Sequence, residues 1–130
     1  MEHWHLLVVD DEKEIRDIIQ EFLMIYGHSV DTVSGGREAM DNIRKSSQPY
    51  DLAVVDWNMP GIAGRNVIQF LTQQSPHTKI VITTGHCGDP QMTQLALKMN
   101  IPIIQKPFSL RILRHQLQKF MNPPFAKTAS

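Results

Sequence analysis

Leu52-Ala-Val-Val55 is a continuous apolar run bounded by Asp51 and Asp56, and Met59-Pro60-Gly61 follows shortly after. A run this short favours a strand over a helix, and the β-branched pair Val54-Val55 supports an extended chain. Apolar residues without alternation describe a strand covered on both faces, as in parallel sheets flanked by helices. Proline and glycine then stop the strand. The run therefore demands a layered α/β chain, with the Asp56 carboxylate at the carboxyl end of a buried strand. Ligands bind outside such ends in open parallel sheets. Taken alone, Asp56 fits equally well a residue that only closes the strand and braces the turn.

The rest of the chain meets that demand. Leu6-Leu-Val-Val9 is a second apolar run, ending in Asp10-Asp11, and Ile15, Ile18, Ile19, Phe22 and Leu23 then repeat at helical spacing. Asp11 with Glu14 reads as a capping box, and Gly27 stands where a C-terminal cap belongs. Residues 29–33 alternate polar and apolar, as a strand nearer an edge does. Gly35-Gly36 opens a helix that buries Ala39, Met40 and Ile43, and Gly64 opens another carrying Val67, Phe70 and Leu71. Residues 79–84 form a further strand closed by Gly85. Asp89 before Pro90 predicts a capped helix to about Met99. Residues 101–104 are a short fifth strand ending at Lys106-Pro107, and Ser109 caps a last helix through Leu113, Leu117, Phe120 and Met121. Five strands alternating with five helices over short connections specify a doubly wound parallel sheet with right-handed crossovers. The expected organisation is one domain over residues 1–121, with 122–130 as a tail or the start of a linker.

At 130 residues, 42% apolar and 20% charged, the chain suits one globular domain with an adequate core. Cys87 is the lone cysteine, so no internal disulfide framework forms, and a reducing compartment is expected. No apolar run approaches the roughly 20 residues that span a bilayer, and no basic, then apolar, leader opens the chain. The expected setting is cytoplasmic, away from membranes. A net charge of zero argues against direct nucleic-acid binding. Charge is nonetheless uneven: residues 1–17 hold six acids against two bases, and after Asp89 there are six bases and no acid. The basic end reads either as a solvated face or as a surface for an acidic protein partner.

Collected at the carboxyl ends of the strands are Asp10 and Asp11, Asp56, Thr83 and Thr84, and Lys106. Clustered carboxylates repel and need a cation or protons at neutral pH. Hard oxygen ligands with room for water suit Mg²⁺. A carboxylate can also attack phosphorus and form an aspartyl phosphate, provided the phosphoryl oxygens are neutralised and held in line. A metal, Lys106 and the Thr84 hydroxyl would do this, and an ionised carboxylate needs no base.

These residues resemble the receiver domain of two-component response regulators. The likeness covers residues 5–121 and rests on Asp10-Asp11, on Asp56 within Asp-Trp-Asn-Met-Pro-Gly, on Thr84, and on Lys106-Pro107-Phe108, with intervals of 28 and 22 residues between Asp56, Thr84 and Lys106. It implies a flavodoxin-like (βα)5 sheet of strand order 2-1-3-4-5. It also implies that Asp56 accepts a phosphoryl group from a sensor histidine kinase or phosphotransfer protein. Asp11, Asp56 and the Asn58 backbone carbonyl would then hold Mg²⁺, with Asp10 assisting through water. Lys106 would pair with Asp56 and afterwards with the phosphoryl group, and Thr84 would bond a phosphoryl oxygen. The Lys106–Pro107 bond would be cis. Such a protein is a signalling switch and not an enzyme acting on separate substrates. It either stands alone or serves an output domain.

One departure stands out. Three residues before the lysine the family often carries Tyr or Phe, which swings inward on activation, and here the position is Ile103. A Mg²⁺-dependent phosphohydrolase is the rival from another class, but its acid/base aspartate two residues after the nucleophile is replaced by Asn58. A degenerate receiver acting only as an interaction module would be expected to lack an acid or the lysine. His3 and His5 read as surface residues, too few to hold a metal. His86 stands either near the phosphoryl group or in a solvated loop.

Overall fold

In the computed structural model, which describes residues 3–121, five strands alternate with five helices. They are β1 (His5–Val9), α1 (Lys13–Ile25), β2 (Ser29–Val33), α2 (Gly36–Lys45), β3 (Leu52–Asp56), α3 (Gly64–Gln74), β4 (Lys79–Thr84), α4 (Pro90–Met99), β5 (Ile103–Gln105) and α5 (Leu110–Leu117). All strand pairs are parallel, in the order β2-β1-β3-β4-β5. The doubly wound fold and its strand order are those expected. The tail, residues 122–130, lies outside the described residues. Among the described residues no helix is long and apolar enough to cross a membrane.

Side chains alternate across the sheet, so each strand feeds two cores. Leu6, Val8, Leu52, Val54, Val81 and Ile104 pack with Ile19 and Leu23 of α1 and with Leu113 and Leu117 of α5. Leu7, Val9, Ala53, Val55 and Ile82 pack with Ala39, Val67, Ile68, Leu71, Met92 and Ala96 of α2, α3 and α4. Fully burying one large apolar side chain contributes about 1.5–3 kcal/mol, so this two-sided burial supplies most of the drive to fold. The same period places the site. Asp10 continues the row of Leu6 and Val8, Asp56 that of Leu52 and Val54, and Lys106 that of Ile104.

Local signals explain most helix ends. Gly27, at φ +87°, donates to the Met24 carbonyl, and His28 to that of Leu23, which closes α1 as a Schellman motif. Asp89 caps α4 through the backbone N–H groups of Gln91 and Met92, and Ser109 caps α5 through that of Ile112. The capping box expected from Asp11 and Glu14 does not form. The N-cap of α1 is Glu12, without a side-chain cap bond, and its backbone N–H goes to the Asp10 carboxylate at 2.8 Å. Ile18 is 47% exposed, because Ile19 and Leu23 set the buried face and Ile18 falls about 100° away.

Gly64 is fixed by space. A Cβ there would lie 2.2 Å from the Asp56 carbonyl oxygen and 2.8 Å from the Trp57 Cα. Glycine thus lets the first turn of α3 press against the end of β3, which sets the path of the Asp56–Gly64 loop.

Candidate functional site

Asp10, Asp56, Thr84 and Lys106 converge at the carboxyl edge of the sheet, with Asp11 beside them. Lys106 is the hub. Its Nζ lies 2.8 Å from Asp10 Oδ2, 2.8 Å from Glu12 Oε1 and 3.3 Å from Asp56 Oδ2. Burial works against the ammonium's charge, but hydrogen bonds to Asp10 and Glu12 and the fields of Asp10 and Asp56 outweigh it and raise its pKa. Arg16 donates to the Asp10 backbone carbonyl at 2.8 Å. The Lys106–Pro107 bond is cis.

Asp56 is buried, and its pKa is pushed up to about 6, first by burial and then by the charge of Asp10. Lys106 and the Asn58 backbone N–H, which donates to Oδ1 at 3.2 Å, pull the other way and do not cancel the shift. Oxygens of Asp10, Asp11 and Asp56 lie within 4.8 Å of one another. Two of these acids are buried and Asp11 is exposed, so the set is hard, anionic and open on one side. That donor chemistry fits Mg²⁺, which uses one or two carboxylates and keeps several waters.

Thr84 is fully buried and is turned to its own loop. Its Oγ1 donates to Asn58 Oδ1 at 2.9 Å, the His86 carbonyl is an alternative acceptor at 3.1 Å, and the His86 backbone N–H donates back at 3.0 Å. The His86 residue itself is exposed. Trp57 is nearly buried, and its Nε1–H donates to Asp89 Oδ2 at 2.8 Å while Asp89 Oδ1 caps α4. That indole bond is the main cause holding the Asp89 carboxyl below its usual range. Trp57 thus ties the residue after Asp56 to the start of α4. Ile103 packs with the α2/α3/α4 core.

Three partners here were not foreseen. Glu12 binds Lys106, and its only sequence signal is being the third of three consecutive acids. The Asn58 side chain holds Thr84, where the resemblance assigned Asn58 only its backbone carbonyl. The Trp57–Asp89 bond has no sequence signal. The expectation that His5 is a surface residue is wrong. Its side chain is 14% exposed, bonded to Asp31 at 3.2 Å and stacked on Tyr50 at 4.4 Å between ring centres, because β2 brings Asp31 alongside β1. His3 is exposed and bonds the Gly27 carbonyl and Ser29 Oγ.

A five-stranded doubly wound sheet with a carboxylate cluster and a lysine at its carboxyl edge defines a class of α/β domain. The chain belongs to the response regulator receiver domain family, which it matches over residues 6–118. It is 36% identical over 117 residues to the probable transcriptional regulator ycf27 of Cyanidium caldarium, covering 90% of this chain and 46% of that protein. Its structure resembles Vibrio cholerae chemotaxis protein CheY4 (TM-score 0.80, 28% identity, 92% of this chain and 100% of that one). It also resembles the Thermotoga maritima response regulator TrrA in complex with Mg²⁺-BeF (TM-score 0.77, 30% identity, 91% of this chain and 99% of that one). The chain spans roughly half or less of the length of several curated relatives: 46% of one, 16% of another and 55% of a third.

Proposed function

We propose that this receiver domain accepts a phosphoryl group on Asp56 from the phosphohistidine of a sensor histidine kinase or phosphotransfer protein, and signals by the change of state that follows. The observation that carries this reading is the Asp56 carboxylate itself, buried at the end of a central strand between an acidic cluster and one ammonium. An Asp56 carboxylate oxygen would form the new bond to phosphorus as the P–N bond breaks, with the imidazole nitrogen keeping the electron pair. Mg²⁺, held by Asp11, Asp56 and the Asn58 backbone carbonyl with Asp10 assisting through water, would neutralise the phosphoryl oxygens. Lys106 would turn from Asp56 to a phosphoryl oxygen, and Thr84 would leave Asn58 Oδ1 for another. The chemistry would be confined to the domain's own phosphorylation and slow dephosphorylation.

The exposed Arg111, His115 and Lys119 around α5, in a stretch without acids, suit an acidic protein partner or an output domain as reader. A cytoplasmic setting suits the free, exposed Cys87 thiol. The test is Mg²⁺-dependent labelling by acetyl phosphate, followed by intact-mass measurement. One phosphoryl group is expected on the protein and none on Asp56→Asn; equal labelling of both would place the acceptor elsewhere.

A further inference from the structure

Alternation along β4 puts a second hydroxyl beside Asp56. Val81 packs with Val54 and Ile104 on the α1/α5 face, and Ile82 packs on the other, so Thr83 returns to the face of Val81 and Thr84 to that of Ile82. Thr83 and Asp56 are Cα partners across β3 and β4. By register Asp56, Thr83 and Ile104 lie side by side on this face, and Lys106 stands two residues beyond Ile104 toward the carboxyl edge. To reach Asp56 and Asp10 from β5, the Lys106 side chain passes the carboxyl end of β4, where Thr83 lies.

Thr83 is 1% exposed, and among the described residues its Oγ1 has no hydrogen-bond partner. A buried hydroxyl left unpaired destabilises a fold, and valine would fill the same space without that cost. The hydroxyl thus stands where packing alone would favour a methyl group, one strand from the phosphoacceptor.

We propose that Thr83 is a positioning residue for phosphoryl transfer, whose hydroxyl donates to the Asp56 carboxylate when Lys106 turns to the incoming phosphoryl group. This rests on the reading of Asp56 as phosphoacceptor. Asp56 Oδ1 has the Asn58 backbone N–H, whereas among the described residues Oδ2 has only Lys106, at the longest of that lysine's three carboxylate distances. The lysine's departure leaves Oδ2 without its donor in a site where Asp56 is 3% exposed. Neighbouring strands lie about 4.8 Å apart, so rotation about the Thr83 Cα–Cβ bond between staggered positions can bring its O–H to the carboxylate. The gain exists only once Lys106 has turned, so it falls on the transfer step and not on binding of the phosphodonor.

The experiment measures Mg²⁺-dependent labelling of the full chain over a range of acetyl phosphate concentrations, in parallel with urea unfolding. Thr83→Val should be at least as stable as wild type, yet its maximal labelling rate should fall about three- to tenfold with unchanged half-saturation. Thr83→Ser should restore the rate to within about twofold, since one hydroxyl replaces another. Thr83→Cys serves the same comparison if Thr83→Val does not fold. A wild-type rate without the hydroxyl, or a Thr83→Ser protein as slow as Thr83→Val, overturns the proposal. Absence of label on wild type itself would instead remove the acceptor reading, and the role of Thr83 with it.

Discussion

The two ends of one sheet carry polar clusters of opposite character. At the amino edge, Tyr50 donates to Asp31 at 2.6 Å, the His5 backbone N–H to Asp51 at 2.8 Å, and Thr78 Oγ1 to the Tyr50 carbonyl at 2.7 Å. Each is a neutral donor on an oxygen acceptor, and together they tie the starts of β1, β3 and β4 to β2. His5 Nδ1 is an exception, buried without a partner among the described residues. At the carboxyl edge, Asp10, Glu12 and Asp56 share one ammonium, with Asp11 close by. The first cluster completes a fold. The second gathers several carboxylates around one ammonium.

Their titrations express the difference. Burial and then Asp31 push Tyr50 up to about 12, while burial and then Asp10 push Asp56 up to about 6. Both shifts favour the protonated form, but at pH 7 the phenol is already protonated and the carboxyl is not. Tyr50 therefore contributes stability that is fully present below pH 10 and lost as pH rises to about 12. Asp56 costs stability as pH rises from about 4 through about 6, and the cost stays in full above that.

The largest expected effect breaks the comparison from the carboxyl edge. In Mg²⁺-free buffer at pH 7, Asp56→Asn should stabilise the fold by up to about 3 kcal/mol in urea unfolding. Well below pH 4, at about pH 2.5, where Asp56 is protonated in both states, the difference should vanish. An equal difference at both pH values would mean that something other than ionisation sets it. At the amino edge the sign reverses: Tyr50→Phe should cost about 1–2 kcal/mol and leave labelling of Asp56 unchanged. The mutant should also lose less stability than wild type between pH 10 and about 12. A change in labelling would show that the two edges communicate.

The smallest effect sharpens the comparison spectroscopically. Trp57 follows Asp56 and is held by Asp89. In a Trp4→Phe background, Mg²⁺ should therefore change its emission, and Asp11→Asn should move the midpoint to roughly tenfold higher Mg²⁺. Flat emission in the Trp4→Phe protein would separate Trp57 from the metal site. An unshifted midpoint would remove Asp11 from the ligands.

Much of this was legible in the chain because it depends on near neighbours. Apolar runs without alternation marked the buried strands, Gly27, Asp89 and Ser109 marked helix ends, and the residues closing each strand supplied Asp10, Asp56, Thr84 and Lys106. A period of two within a strand is local, so the sequence by itself determined which edge of the sheet carries the carboxylates and the lysine. Only the tertiary structure decided who bonds whom there. Glu12 and Lys106 are 94 residues apart, Trp57 and Asp89 are 32, and Asn58 and Thr84 are 26. Such pairs follow from which strands are neighbours and from competition among donors for the same oxygens. That competition sent Glu12 to the lysine, while the start of α1 at Glu12 left the Asp11–Glu14 capping box unmade and the pairing of β2 with β1 brought His5 to Asp31 and Tyr50.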